Sequence, residues 1–168
     1  MPNKILALVN ATGRQAASVA RVASALGYNV RAHVHEESHP VAVELANLDN
    51  ITVVEGSLED QRFISKHFNG AQKAFVNTVS FGDELALGKS LADAAKKAGI
   101  QHYIYSSMPD HSIYGKDWPA LPLWSVKFTV ENYIRQACAQ YLRNTYIIPN
   151  GLTDRPSSDL CLRWHLQQ

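Results

Sequence analysis

Cysteine is nearly absent: Cys138 and Cys161 are the two present in 168 residues. They lie far apart and no secretory leader pattern precedes them, which argues against a disulfide scaffold and for a reducing, intracellular setting. No apolar run approaches the roughly 20 residues of a bilayer-spanning helix, so no membrane partner is expected. Charge of one sign is not in excess either, since 16 Lys plus Arg face 15 Asp plus Glu for a net charge of +1. Without a net basic field to hold a phosphate backbone, direct nucleic-acid binding is set aside. Repeats and low-complexity blocks are also missing. At this size about 70 % of the unfolded surface is buried on folding, enough for a core without metal or disulfide staples.

What the chain does have is alternation. Residues 4–10 (KILALVN) form a short apolar run stopped by Asn10-Ala11-Thr12-Gly13. An alanine-rich stretch follows, with Ala16, Val19, Ala20, Ala23 and Leu26 on one helical face and Gly27 at its stop. Residues 29–35 then read as a second strand, completing a βαβ unit with parallel strands and a right-handed crossover. Residues 40–47 read as a short helix, and 51–55, 73–79, 102–106 and 145–148 as strands three to six. Ser57-Leu58-Glu59-Asp60 sets a hydroxyl three residues ahead of a carboxylate, which predicts a capping box for a helix to Phe68. Residues 83–98, closed by Gly99, and 124–140 are further helices. Between 107 and 122 no period is visible and Pro109, Pro119 and Pro122 oppose a helix; a loop this long in a compact domain is usually functional. The pattern specifies an α/β fold, a doubly wound parallel sheet of the Rossmann type over residues 1–150, with its ligand at the carboxyl ends of the strands. Residues 151–168 show no second core and are expected to form a poorly ordered tail.

The turn after the first strand, Asn10-Ala11-Thr12-Gly13-Arg14-Gln15-Ala16, departs from G-x-x-G-x-x-G at its first and third glycines. Taken alone it suits an ordinary βα turn equally well. Its place between a strand and a helix start makes Asn10, Thr12, Gly13, Arg14 and Gln15 candidate pyrophosphate contacts, because free N–H groups and the helix dipole favour an anion there. His35 stands 22 positions beyond Gly13, near the spacing at which such folds read the ribose. Glu36 and Glu37 follow and would oppose a 2′-phosphate, so NAD is favoured over NADP. Two metal readings compete, His33, His35, Glu36 and His39 in one and Cys161 with His165 in the other, but neither completes a zinc spacing. Ser106, Asp110 and His111 evoke a hydrolase, yet no G-x-S-x-G elbow surrounds the serine, and residues this close in sequence do not readily form a triad.

Several strings carry more than a pattern: residues 9–18 (VNATGRQAAS), 30–35 (VRAHVH), Gly82-Asp83-Glu84, 91–96 (LADAAK), 101–112 (QHYIYSSMPDHS) and 127–133 (KFTVENY). From about residue 4 to 136 the chain resembles the NmrA-like family, fungal regulators of nitrogen metabolite repression that are atypical extended short-chain dehydrogenases. The resemblance implies a nicotinamide dinucleotide bound without known turnover. It also implies a GATA-type zinc-finger transcription factor as partner and residence in cytoplasm and nucleus. By the same resemblance Asn77, Thr78 and Ser106 flank the ribose and nicotinamide, although Thr78 suits a plain chain-turning role nearly as well. His35 occupies the position where NADP-binding relatives carry arginine. Active dehydrogenases of this fold use Tyr-x-x-x-Lys; here Lys127 is kept, able to hydrogen-bond a ribose, while Leu123 replaces the tyrosine and has no proton to give. Tyr114 could stand in for it.

Beyond about residue 136 the match dissolves, which suggests a C-terminally truncated relative without the smaller region that covers the cleft. Three readings stay open: a non-catalytic NAD-binding negative regulator, an NAD(P)-dependent oxidoreductase, and a remnant with neither activity.

Overall fold

A computed structural model describes residues 4–79, 82–109, 121–138 and 144–149. The elements run β1 (Ile5–Val9), α1 (Arg14–Ala25), β2 (Asn29–Val34), α2 (Pro40–Ala46), β3 (Ile51–Glu55), α3 (Gln61–Phe68), β4 (Lys73–Val76), α4 (Glu84–Lys97), β5 (His102–Ser107), α5 (Pro122–Tyr133) and β6 (Asn144–Pro149). All neighbours pair in parallel in the order β3-β2-β1-β4-β5-β6. The order reverses between β1 and β4, and it is at such a switch point that open α/β sheets bind ligands.

Alternation along the strands makes two cores. Leu6 and Leu8 of β1, Val30 and Ala32 of β2 and Phe75 of β4 pack under α1 and α2, where Ala16, Ala20, Ala23, Ala42 and Leu45 meet them. On the opposite face Ala7, Val9, Ala74, Val76, Tyr103 and Tyr105 pack against Ile64, Phe68, Leu91, Val130 and Ile134. The alanines of α1 let that helix lie close on the sheet. Gly88 does the same between helices, since a Cβ there would come within 2.6 Å of Val130.

Beyond one-residue shifts at element ends, four features differ from the sequence expectation, each for a local reason. The cap of α3 is Asp60, whose carboxylate accepts from Arg62 N–H, whereas Ser57 Oγ accepts from Glu59 N–H and closes a separate turn. Strand β4 stops at Val76 because the next carbonyls, of Asn77 and Thr78, are taken by side chains of Asn10 and Lys127. Helix α5 begins at Pro122, a residue suited to a first helical position, and passes into a π-helical turn over Ile134–Cys138. Leu26 is the C-cap of α1 and lies 71 % exposed, outside the predicted apolar stripe, because Gly27 at φ +76° turns the chain away. The 110–120 stretch of the proline-bearing loop, including Tyr114, and the tail beyond Pro149 lie outside the described residues.

Candidate functional site

Register decides what meets at the switch point. Val9 of β1 is level with Val76 of β4, and Val76 with Tyr105 of β5. The residues that follow, Asn10, Asn77 and Ser106, therefore stand side by side at one edge of the sheet. The start of α1 faces that edge. Its N-cap is Gly13, with no side-chain cap and no acidic residue in the first turn. In α2, α3 and α4 a side chain of His39, Asp60 or Asp83 accepts a first-turn N–H. The first intrahelical bond of α1 runs from Ala17 N–H to Gly13 O at 2.8 Å, so its leading N–H groups and positive dipole end remain available to an anion.

Packing does not require glycine at 13. Its φ of −70° suits any residue, and an added Cβ would meet only Asn10 O, at an ordinary 3.4 Å. What glycine supplies is a bare helix end that a phosphate can approach. Asn10 makes the turn, with φ +57°, a left-handed conformation asparagine tolerates. Its carbonyl accepts from Gly13 N–H at 3.1 Å, and its Nδ2 donates to Asn77 O at 2.6 Å. Its Oδ1 is buried with no partner among the described residues, an acceptor that a ligand hydroxyl or a water would satisfy.

Gln15 reaches across the crevice. Its Oε1 accepts from Ser106 Oγ at 2.8 Å and from Asn77 Nδ2 at 3.4 Å. Thus Asn10, Gln15, Asn77 and Ser106, from three strands' ends and one helix, converge on one site, with half-buried Thr12 and exposed Arg14 beside it. Bare helix end, orphaned Oδ1 and converging amides and hydroxyl fit a dinucleotide laid across the switch point.

Thr78 and Lys127 lie deeper. Lys127 Nζ contacts Glu84 Oε1 at 2.8 Å and donates to Thr78 Oγ1 at 3.0 Å and to the Thr78 carbonyl. Thr78 Oγ1 in turn donates to Glu84 Oε1 at 2.6 Å and lies 3.1 Å from Tyr105 OH. Burial pushes the Tyr105 phenol well above its ordinary range. Leu123, in the first turn of α5, is 59 % exposed.

At the end of β2, His35, Glu36 and Glu37 are exposed. Glu55 of β3 joins them, accepting from Glu37 N–H at 2.8 Å, a carboxylate that sequence spacing alone does not place there. His33 and His35 stand ring to ring at 5.0 Å, but no group of three His, Cys, Asp or Glu among the described residues is placed to hold a metal. His33 has a structural duty instead. Its Nδ1 accepts from Asn10 N–H at 3.1 Å, which puts the ring proton on Nε2, 3.1 Å from the Gly56 carbonyl.

Sequence reading singled out every residue of this cleft edge, yet it assigned no role to Glu84, Tyr105 or His33 in supporting it. All three fell within family-like strings, which was the one signal available.

A profile of the NmrA-like family matches residues 2–152. The chain belongs to the NmrA-like family. It is 59 % identical over 136 residues to the nitrogen metabolite repression protein nmrA of Emericella nidulans, covering 79 % of this chain and 38 % of that one. Among solved structures it matches Nmra, a negative transcriptional regulator, in complex with NAD at 56 % identity and a TM-score of 0.76, covering 81 % of this chain and 43 % of that chain. The NADP complex of NmrA matches at 52 % identity and a TM-score of 0.78, covering 88 % and 45 %. The chain therefore spans less than half the length of these NmrA-like relatives.

Proposed function

We propose that this chain is a dinucleotide-binding regulator of nitrogen metabolite repression that prefers NAD to NADP and transfers no hydride. It acts in cytoplasm and nucleus through contact with a GATA-type zinc finger. The observation that carries the binding half is the bare start of α1 at Gly13, facing Gln15, Asn77 and Ser106 across the switch point. Asn10, Thr12, Gly13, Arg14 and Gln15 would hold the pyrophosphate side, and Asn77 and Ser106 the nicotinamide side. A bound nicotinamide dinucleotide supplies a hydride acceptor, but Leu123 stands four positions before Lys127 and cannot exchange a proton with a substrate. The regulatory half rests on the named role of the NmrA relatives.

The preference for NAD rests on Glu36, Glu37 and Glu55, three carboxylates at the ribose end. A 2′-phosphate placed among them meets like charge. By titration calorimetry NAD is expected to bind at least about tenfold more tightly than NADP, a difference of roughly 1.4 kcal/mol, and His35→Arg should narrow that gap. Equal affinities in the wild-type chain would remove the argument.

The partner is tested by surface plasmon resonance against one immobilised GATA finger. A basic finger needs an acidic or apolar complement, and interfaces much below about 1,000 Å² are weak or transient. Because the chain spans 38 % of its Emericella nidulans relative, weaker binding than that full-length relative shows is expected. Equal affinity would place the whole recognition surface within these residues.

A further inference from the structure

Buried between α4, α5 and the end of β4 is an ion pair that the dinucleotide reading does not use. The Lys127 and Glu84 side chains are 10 % and 4 % exposed, with Nζ 2.8 Å from Oε1. An ammonium has three protons to donate, and three acceptors surround this one: Glu84 Oε1, Thr78 Oγ1 and Thr78 O. The pattern closes on the other side as well. Thr78 Oγ1 gives its proton to Glu84 and receives from Lys127, leaving its second lone pair for the Tyr105 hydroxyl. Glu84 is the first residue of α4, where the helix dipole favours a carboxylate.

We infer that Glu84 is a positioning residue that keeps Lys127 out of the dinucleotide cleft, so that the lysine which holds a ribose in Tyr-x-x-x-Lys enzymes serves here as a buried strut. For Nζ to swing to a ribose it would leave a desolvated carboxylate without its counter-charge, which is strongly unfavourable. The nicotinamide side of the cleft is then lined by the neutral groups of Asn77 and Ser106, to which Gln15 bridges from the pyrophosphate side. The same strut anchors Thr78 while Asn10 anchors the Asn77 carbonyl, so the Asn77–Thr78 segment is clamped from both sides. This inference rests on the dinucleotide reading for its ligand, but the ion pair itself does not.

The test uses the full chain with three variants, Lys127→Met, Glu84→Leu and the double variant, followed by thermal unfolding and by calorimetric titration with NAD and with ADP. Each single variant strands a buried partner and should lower Tm by about 5 °C or more; the double variant should regain most of that loss. NAD affinity of Lys127→Met should stay within about threefold of wild type. In the wild-type chain the Lys127 ammonium should give a slowly exchanging NMR signal whose shift is unmoved by saturating NAD, a readout independent of whether a variant folds. A loss of about tenfold or more in NAD affinity, with ADP affinity kept, would place Nζ on the nicotinamide ribose, which ADP lacks, and overturn the inference, as would an ammonium signal displaced by NAD. Failure of the wild-type chain to bind NAD would sink the dinucleotide reading instead. The stability cycle would then judge the pair, and strictly additive Tm losses would refute it.

Discussion

At the scale of single residues, the turn after β1 is held by a histidine whose hydrogen bonds need a neutral ring. His33 accepts from Asn10 N–H with one ring nitrogen and donates to Gly56 O with the other, and burial pushes its pKa down to about 4. His67 donates to the Leu8 carbonyl and is pushed down to about 3, first by burial and then by the neighbouring positive charge of His33 and Arg31. The unfolded chain takes up these protons near pH 6.5, the folded chain not until about 4 and about 3. Stability is therefore full above pH 6.5 and declines as pH falls through the window down to 4 and below. For His33 the upper bound is roughly 3 kcal/mol at 1.36 kcal/mol per pKa unit. Thermal unfolding at stepped pH should show Tm falling from pH 6.5 downward. His33→Asn, whose Oδ1 can still accept from Asn10, should flatten the upper part of that slope. A Tm independent of pH between 6.5 and 4 would contradict the neutral, buried ring.

At the scale of elements, α1 stands apart from the other helices of the first four because its N-terminus is left without a capping side chain. Stability alone would favour a cap; α5 also starts without one, and at α1 the proposed dinucleotide accounts for the omission. Gly13→Asp separates the two demands. The backbone at 13 accepts any residue and a Cβ there makes only an ordinary contact, so aspartate should cap the helix and hold or raise stability by a few tenths of a kcal/mol. The same carboxylate would sit where we propose the pyrophosphate binds, and dinucleotide affinity should fall by about a hundredfold, about 2.7 kcal/mol. Calorimetry and thermal unfolding on one sample check both signs. A variant that gains stability and keeps its affinity would mean that the ligand does not use this helix end.

For the molecule as a whole, the dinucleotide-binding type of sheet is present while Leu123 stands where Tyr-x-x-x-Lys has its tyrosine. Leu123 carries no ionisable group, Tyr105 is buried with its phenol pushed up, and Lys127 is engaged by Glu84. Incubation with reduced nicotinamide cofactor and a panel of aldehydes, ketones and quinones should leave the reduced-nicotinamide absorbance unchanged. Protein-dependent oxidation abolished by Tyr114→Phe would move the chain into the enzyme class.

The sequence alone determined the strand-helix alternation, the parallel sheet and the residues of the cleft edge. Apolar runs of period two, an alanine face of period 3.6 and glycines at helix stops are local signals that survive without tertiary context. Gly13, Asn77 and Ser106 were legible because the βα order puts strand ends and a helix start at one edge. Contacts between elements remote in sequence were left to the tertiary structure. Only the register of β1, β4 and β5 sets Asn10 beside Asn77 and Ser106, letting Gln15 bridge from α1, and only the packing of α4 on α5 delivers Glu84 to Lys127 across 43 positions. Pattern also misplaced the α3 cap, because Ser57 and Asp60 are both competent acceptors and the local turn geometry chose the second. A lysine in a family string reads as a ribose ligand, and only the tertiary structure sets a buried carboxylate, Glu84, against it.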